Sequence, residues 1–202
     1  MPFCYRPLDA RWVYWEPETK LLDEKRAEYF AHVCVGNAWF SAAQRTRRDF
    51  DAPLVTAHLS CRHLIERGAN LFPLYLKGSD LLGGGGMEPN VSESAGSYLA
   101  RLGVAPKDLF HHTVAVLHAP AYATENGGAL LQDWPRIPLP NGADALMASA
   151  GLGRHLVHLL DPDCGVEGVT LTPLRSEIMA TGPITAVDFG AHQNWPSSAR
   201  LE

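Results

Sequence analysis

The first residues of the chain alternate between aromatic-rich segments and turn-forming residues. Segments 3–6 and 11–15 are extended in character, and between them lies Pro7-Leu8-Asp9-Ala10. Proline fixes φ and aspartate bonds its own backbone, so this tetrapeptide favours a tight turn. We therefore predict a β-hairpin at the start of the chain, with the charged side chains of Arg6, Asp9 and Arg11 fixing its turn.

The rest of the first 78 residues combines one helical pattern with strand-like runs. Charged and apolar positions over 23–34 have helix-compatible spacing, whereas the following runs are short and rich in residues that favour strands. Residues 1–78 are therefore predicted to be sheet-rich, with strands at 38–44, 54–59 and 71–77.

The pattern changes after a glycine-rich segment. Gly83 to Gly86 and the following Met-Glu-Pro-Asn cannot hold regular structure, so a flexible loop is predicted over 79–91. Beyond it the apolar positions recur at helical spacing, and Pro106 suits a first helical turn. This pattern predicts a helical region over 92–160, with helices at 92–102, 106–118, 121–131 and 143–160.

Prolines divide the last two helices and the end of the chain. Residues 134–140, Trp-Pro-Arg-Ile-Pro-Leu-Pro, form a stiff extended linker because each proline restricts itself and its predecessor. Short closing strands are expected within 161–200, at 168–173 and 184–189. The order of sheet, helices and sheet predicts one α+β domain over 1–200 with mainly antiparallel strands. Leu201-Glu202 is typical of a cloning remnant.

Composition indicates a chain with a real core. Of the 202 residues, 46% are hydrophobic and 19% are charged. The four cysteines lack CxxC spacing and are expected to be reduced. The chain has neither a signal-peptide pattern nor an apolar run of about 18 residues, so we expect a cytoplasmic protein with no membrane partner.

Charge is distributed unevenly along the chain. The formal net charge is -5, which argues weakly against a free-standing nucleic-acid binder. Residues 1–78, however, carry 11 Lys and Arg against 9 Asp and Glu, and residues 79–202 carry 6 against 13. Any surface that binds a polyanion is therefore expected in the first part.

Candidate catalytic and metal-binding groups are weak. The tetraglycine lacks the Lys-Ser/Thr of a P-loop, and His58, Cys61 and His63 have no evident fourth ligand. We therefore predict no metal site and no catalytic centre in this chain. We expect structural or surface roles for the helical histidines, which are His111, His112, His118, His155 and His158.

The one dense basic cluster is Arg45-Thr46-Arg47-Arg48, which follows a predicted strand. Arginine side chains in a loop can bind phosphate or the O6 and N7 atoms of guanine. From spacing alone, a solvated loop paired with Asp49 and Asp51 is the favoured interpretation.

Several segments together resemble the C-terminal specificity domain of type ISP restriction-modification enzymes, which join nuclease, helicase, N6-adenine methyltransferase and target-recognition parts in one polypeptide. The matching segments occur in the family's order: YRPLDARWVYWE at 5–16, NLFPLYLK at 70–77, DLFHHTVAVLHAPAYATENGGALLQDWPRIPLP at 108–140 and LGRHLVHLL at 152–160. The tetraglycine insertion and His111-His112-Thr113 depart from the family pattern.

The resemblance implies a sequence-specific module of a bacterial adenine-N6 methyltransferase that binds duplex DNA. It shifts the preference for Arg45, Arg47 and Arg48 to DNA contact. It also implies that S-adenosylmethionine is bound by the methyltransferase part of a longer enzyme and that this chain holds no cofactor of its own. The other domains of that polypeptide are then partners, and the aromatic hairpin is expected to pack on the following sheet or on the methyltransferase domain.

Two other functions remain open from the residues themselves. An autonomous small-molecule enzyme would use the histidine-rich helices and the tetraglycine loop, and a structural interaction domain would need neither. The favoured interpretation is a chain that is not itself an enzyme, within a parent that the resemblance implies to be a site-specific adenine methyltransferase with restriction activity.

Overall fold

The computed structural model describes residues 1–16, 27–45, 50–65, 69–78, 86–161, 163–167 and 171. The chain divides into two compact units, residues 1–165 and 166–202. The first unit combines antiparallel sheets with helices, so the predicted α+β class is confirmed. The expected closing strands at 168–173 and 184–189 lie, apart from Leu171, outside the described residues.

The predicted N-terminal hairpin is present. Strand β1 (Pro2–Arg6) pairs antiparallel with β2 (Asp9–Trp12), and Arg6 lies opposite Asp9. Only Pro7 and Leu8 remain for the turn, which is two residues shorter than predicted. Leu8 adopts a φ of 60°, in the left-handed region that non-glycine residues rarely occupy.

Backbone pairing attaches the hairpin to the rest of the unit. The Cys4 amide donates to the Leu59 carbonyl at 3.0 Å, and the Cys61 amide donates to the Cys4 carbonyl at 2.9 Å. Cys4 is buried, and its burial raises the pKa of its thiol. Trp12 and Tyr14 nevertheless remain 84% and 65% exposed. The hairpin is thus attached to the rest of the unit mainly through strand β1, and these two aromatic side chains stay at the surface.

The segment predicted as a helix over 23–34 contains a short helix, α1 (Ala27–Phe30), and residues 17–26 lie outside the described part. The prediction was too long at its C-terminal end. The Asn37 side-chain amide donates to the His32 carbonyl at 2.8 Å, and Gly36 adopts a φ of 84°. These two features turn the chain toward the next strand.

A three-stranded antiparallel sheet follows. Its central strand β3 (Trp39–Ala42) lies between β4 (Leu54–Thr56) and β5 (Asn70–Pro73). The indole of Trp39 is fully buried. Strands were predicted in all three places, with longer bounds.

The predicted strand over 71–77 is in fact two strands of different sheets. After β5 the chain bends at Leu74, whose amide donates to the Ala38 carbonyl at 2.8 Å. Strand β6 (Tyr75–Lys77) then pairs with β7 (Met87–Pro89), which occupies part of the predicted loop over 79–91. Pairing with β6 supplies the backbone hydrogen-bonding partners that residues 87–89 lack by themselves. This explains why the predicted strand over 71–77 is divided in two and why a strand lies within the predicted loop over 79–91.

The four predicted helices of the middle region are confirmed. They are α2 (Glu93–Leu102), α3 (Pro106–His118), α4 (Pro120–Leu130) and α5 (Ala143–Leu160). The Ser92 hydroxyl caps α2 by accepting from the Ala95 amide, and Gly103 ends it with a φ of 66°. Prolines occupy the first turns of α3 and α4.

The linker at 134–140 is held against the helices at every second carbonyl. Tyr122 Oη donates to the Arg136 carbonyl at 2.9 Å, His112 Nε2 to the Pro138 carbonyl at 2.9 Å, and Tyr98 Oη to the Pro140 carbonyl at 2.7 Å. Beneath it lies a core cluster of Leu117, Tyr122 and Leu130, which also packs against Phe40, Phe50 and Ile137. The linker is therefore a fixed part of the fold.

Candidate nucleic-acid interface

The predicted basic loop begins where β3 ends. Ala42 closes that strand and is buried, and the chain then bends through Arg45, whose side chain is exposed. On the far side, the Phe50 ring meets Tyr122 edge to face, with the ring centroids 6.4 Å apart. Buried Pro53 follows, and its carbonyl accepts from His118 Nε2 at 2.8 Å. Both ends of the loop are therefore anchored in the core.

The structure locates only part of this predicted site. Arg45 lies at the surface, and among the described residues no carboxylate pairs with it. Arg47 and Arg48 fall within 46–49, outside the described residues. DNA contact by the three arginines therefore stays a prediction.

A second basic region lies at the hairpin. The guanidinium of Arg11 lies 4.5 Å from the centroid of the Tyr5 ring, and that of Arg6 lies 5.2 Å from it. Arg11 also donates from Nε and Nη2 to Asp9 at 2.7–3.1 Å, and these bonds lower the pKa of the Asp9 carboxyl. Both residues lie on β2, so this charge-assisted pair does not cross the turn, and Arg6 donates to the His63 carbonyl instead. That charged side chains fix the turn stays a prediction.

The structure separates the candidate metal ligands of the sequence. His58 Nε2 lies 3.1 Å from Asp163 Oδ2, whereas Cys61 Sγ lies 3.8 Å from His63 Nδ1. Within the described ranges, no group of three or more His, Cys, Asp or Glu side chains comes together to hold a metal ion.

Two of the helical histidines, His112 and His118, make structural hydrogen bonds. His112 bonds the Pro138 carbonyl through Nε2 and the Ser149 hydroxyl through Nδ1, at 2.9 Å each. A carbonyl only accepts, so Nε2 carries the proton and Nδ1 accepts from Ser149 in the neutral ring. His118 bonds the Pro53 carbonyl, while His155 and His158 are exposed on α5.

His111 is buried without a hydrogen-bonding partner for its Nδ1 among the described residues. Burial, together with the charges of Arg154 and Lys107, lowers the pKa of His111 to about 4. The neutral ring of His111 therefore belongs to the packing between helices. It offers no poised acid or base at neutral pH.

Sequence reasoning missed the contact between the hairpin and the loop at 61–65. Arg6 Nη1 donates to the His63 carbonyl at 3.4 Å, across 57 positions of sequence. A search for clusters of basic residues finds those that are close in sequence, and it misses those that only folding brings together. The available signal was the Tyr5-Arg6 pair opposite Arg11 in the predicted hairpin.

Comparison with protein families identifies the chain. The model of the Type ISP C-terminal specificity domain matches residues 1–161, which include both basic regions and all helices from α1 to α5. The chain belongs to this family. The segments that carried the resemblance in the sequence correspond to β1–β2, β5–β6, the α3–α4 junction with the linker, and the second half of α5.

Solved structures with the fold of this specificity domain include large enzymes. A cryo-EM structure of a DrdV–DNA complex matches 86% of the chain at 26% identity, with a TM-score of 0.66. The type ISP enzymes LlaGI, a nuclease-deletion mutant in complex with a DNA substrate mimic, and LlaBIII, bound to DNA, each match 79% of it. Their identities are 24% and 17%, with TM-scores of 0.52 and 0.58.

The specificity domain spans only a small share of these structures: 16% of DrdV, 13% of LlaGI and 10% of LlaBIII. No curated protein sequence matches it significantly. In the part of the chain that the structure describes, no helix has the length and apolar character needed to cross a bilayer.

Proposed function

We propose that this chain recognises a specific duplex DNA sequence for a bacterial restriction-modification enzyme. The observation that carries the proposal is the family match over residues 1–161. It is joined by the similarity in fold, at 26% sequence identity, to DrdV in a DNA complex. The chain's share of that structure, 16%, supports a longer parent polypeptide.

The parent enzyme is proposed to methylate adenine at N6 and to work in the cytoplasm. S-adenosylmethionine belongs to its methyltransferase domain, and this domain and the remaining ones are the chain's protein partners. A base inside a duplex is out of reach of a catalytic pocket, so the target adenine must be flipped out of the stack. The role of the present chain is to hold the duplex in the register that brings this adenine to the pocket.

Arg45, Arg47 and Arg48 are proposed to contact the DNA. Contacts to phosphates fix position and orientation, whereas contacts to base edges carry the sequence information. The described residues that flank the cluster support this role, because Ala42 is buried and the Phe50 ring packs on Tyr122, so the chain on each side is already fixed before binding. The net positive charge of residues 1–78 favours the same part of the chain.

The experiment has two arms. Long-read sequencing that detects N6-methyladenine, applied to cells making the full-length enzyme, identifies the recognised motif, and binding is then measured on duplexes with the intact and the scrambled motif. We expect tighter binding to the intact motif. The isolated 202-residue chain, incubated with S-adenosylmethionine and the same DNA, should transfer no methyl groups. Turnover by the isolated chain, or equal binding to both duplexes, would contradict the proposal.

A further inference from the structure

The hairpin and the loop at 61–65 together form a basic surface that the predicted DNA-contact loop does not include. We define the hairpin patch as Tyr5, Arg6, Arg11, Arg62 and His63. All five side chains are exposed, and the patch joins residues that lie more than 50 positions apart.

Backbone pairing assembles the patch. Cys4 and Ser60 form a parallel bridge, and the amide and carbonyl of Cys4 bond Leu59 and Cys61. Two residues further along each segment come Arg6 and Arg62, and the Arg6 guanidinium donates to the His63 carbonyl at 3.4 Å. The hydrogen bond to His63 therefore places the Arg6 guanidinium beside the segment that carries Arg62.

Stacking orients the guanidinium groups before any ligand arrives. Arg6 and Arg11 both lie over Tyr5, at 5.2 and 4.5 Å from the ring centroid. A guanidinium has five N–H donors in a fixed plane. The long bond to His63 uses one donor of Arg6, and the Asp9 pair uses Nε and Nη2 of Arg11, so both groups keep donors for an external acceptor.

The charge balance of the patch is positive. Among the described residues, Asp9 is the one acid that pairs with an arginine of the patch, and none pairs with Arg6 or Arg62. Guanidinium planes with free donors match the oxygens of a phosphodiester, which they bind by charge-assisted hydrogen bonds. The guanidinium groups of Arg6 and Arg11 lie against the Tyr5 ring, so this patch presents charge together with its aromatic ring.

We propose that the hairpin patch binds the phosphate backbone of the DNA, as a second anchor beside the loop of Arg45, Arg47 and Arg48. This inference rests on the proposed function, since it names a further surface for the same duplex. Because phosphates carry no sequence information, the patch contributes affinity and register.

The test uses the full-length enzyme and four variants: Arg6→Ala, Arg62→Ala, Tyr5→Ala and Tyr5→Phe. Arg101→Ala is the matched control, because its guanidinium also stacks on a tyrosine, Tyr98, but on helix α2. Binding to the intact and scrambled duplexes is measured between 50 and 200 mM salt, conditions in which a lost phosphate contact is visible as a change of slope.

Each lost arginine should reduce the slope of the logarithm of the binding constant against the logarithm of the salt concentration by about 0.9. It should also weaken binding about fivefold near 0.15 M salt, equally on both duplexes. Tyr5→Ala should weaken binding as well, Tyr5→Phe should restore it because the ring face is kept, and Arg101→Ala should match the wild type.

Four results would overturn the proposal. If the wild type prefers its motif and the arginine variants bind like it, the patch is wrong and the proposed function stands. A loss confined to one base pair would make the patch a base-contacting site, and a lower melting temperature with unchanged DNA binding would make it a docking surface for another domain. A wild-type enzyme without preference for its motif would defeat both proposals.

Discussion

The carbonyl group of His111 occupies the space that a β-carbon would take at Gly153. His111 lies on α3 and Gly153 on α5, and both residues are buried. The two helices therefore approach so closely that backbone of one fills the side-chain position of the other. Only glycine is compatible with this approach unless the helices shift.

Gly153→Ala should destabilise the chain by about 2–3 kcal/mol, because the added methyl group meets backbone that cannot rotate away. Urea unfolding followed by circular dichroism measures the effect. The control is Gly151→Ala on the same helix, where a β-carbon would meet no atom within 4 Å. Its higher helix propensity should stabilise the chain by up to about 1 kcal/mol. Equal stabilities of the two variants would contradict the tight crossing.

His112 links α3 to α5 and to the linker. His112→Ala should cost about 1–3 kcal/mol, since the Ser149 hydroxyl and the Pro138 carbonyl lose their partner in a partly buried place. His155→Ala removes an exposed imidazole from α5 and should change stability by less than about 0.5 kcal/mol. The same unfolding measurement compares them, and an equally small loss in both would show that the linker is not held through His112.

Burial of His111 should make stability depend on pH. Its pKa is lowered to about 4 in the folded chain, whereas an unfolded histidine titrates near 6.5. Between these values the unfolded chain binds the proton and the folded chain does not. The contribution of neutral His111 to the free energy of unfolding is therefore fully present above pH 6.5 and is lost as the pH falls toward 4.

The pH effect can be isolated by substitution. Unfolding free energies of the wild type and of His111→Leu, measured from pH 4 to pH 8, should diverge, with a shallower decline in the variant. His155→Ala, which removes an exposed histidine from α5, should keep the wild-type decline. Identical pH profiles for the wild type and His111→Leu would contradict the assignment.

The helical half of the fold could be predicted because its signals are local. Ser92 marks a helix end by its side-chain hydroxyl, and Pro106 and Gly103 mark helix ends by their backbone conformations; the bounds agree within one or two residues. The sheets could not be bounded in the same way. Leu74 ends one strand because its amide bonds Ala38, and β7 exists because β6 pairs with it. Such pairings between distant residues leave no local pattern.

The family could be recognised because residues of its motifs make the contacts that hold the fold together. Tyr122 and His118 of the LHAPAY segment bond the Arg136 and Pro53 carbonyls. The DNA-contact residues are a different matter, since they serve a ligand and need no internal partner. The sequence offered the cluster at 45–48 by density alone, and Arg6 meets the His63 carbonyl only after folding.

In the full-length enzyme, replacing any one of Arg45, Arg47 and Arg48 by alanine should weaken DNA binding. Loss of a phosphate contact should weaken binding to intact and scrambled motifs alike and reduce the salt slope by about one, whereas loss of a base contact should cost about 1–3 kcal/mol at one base pair. Binding titrations at several salt concentrations separate the two, with Arg101→Ala as control. If all three variants match the wild type on both duplexes, this loop is a solvated surface.

Exchange of the specificity domain tests the central claim most directly. In the full-length enzyme, the segment that corresponds to residues 1–161 of this chain is replaced by the matching segment of LlaGI, and N6-methyladenine is mapped by long-read sequencing in cells that make the chimera. If this chain determines the recognised sequence, the chimera methylates the motif of LlaGI and leaves the original motif unmodified. A chimera that still methylates the original motif would show that sequence recognition lies elsewhere in the enzyme.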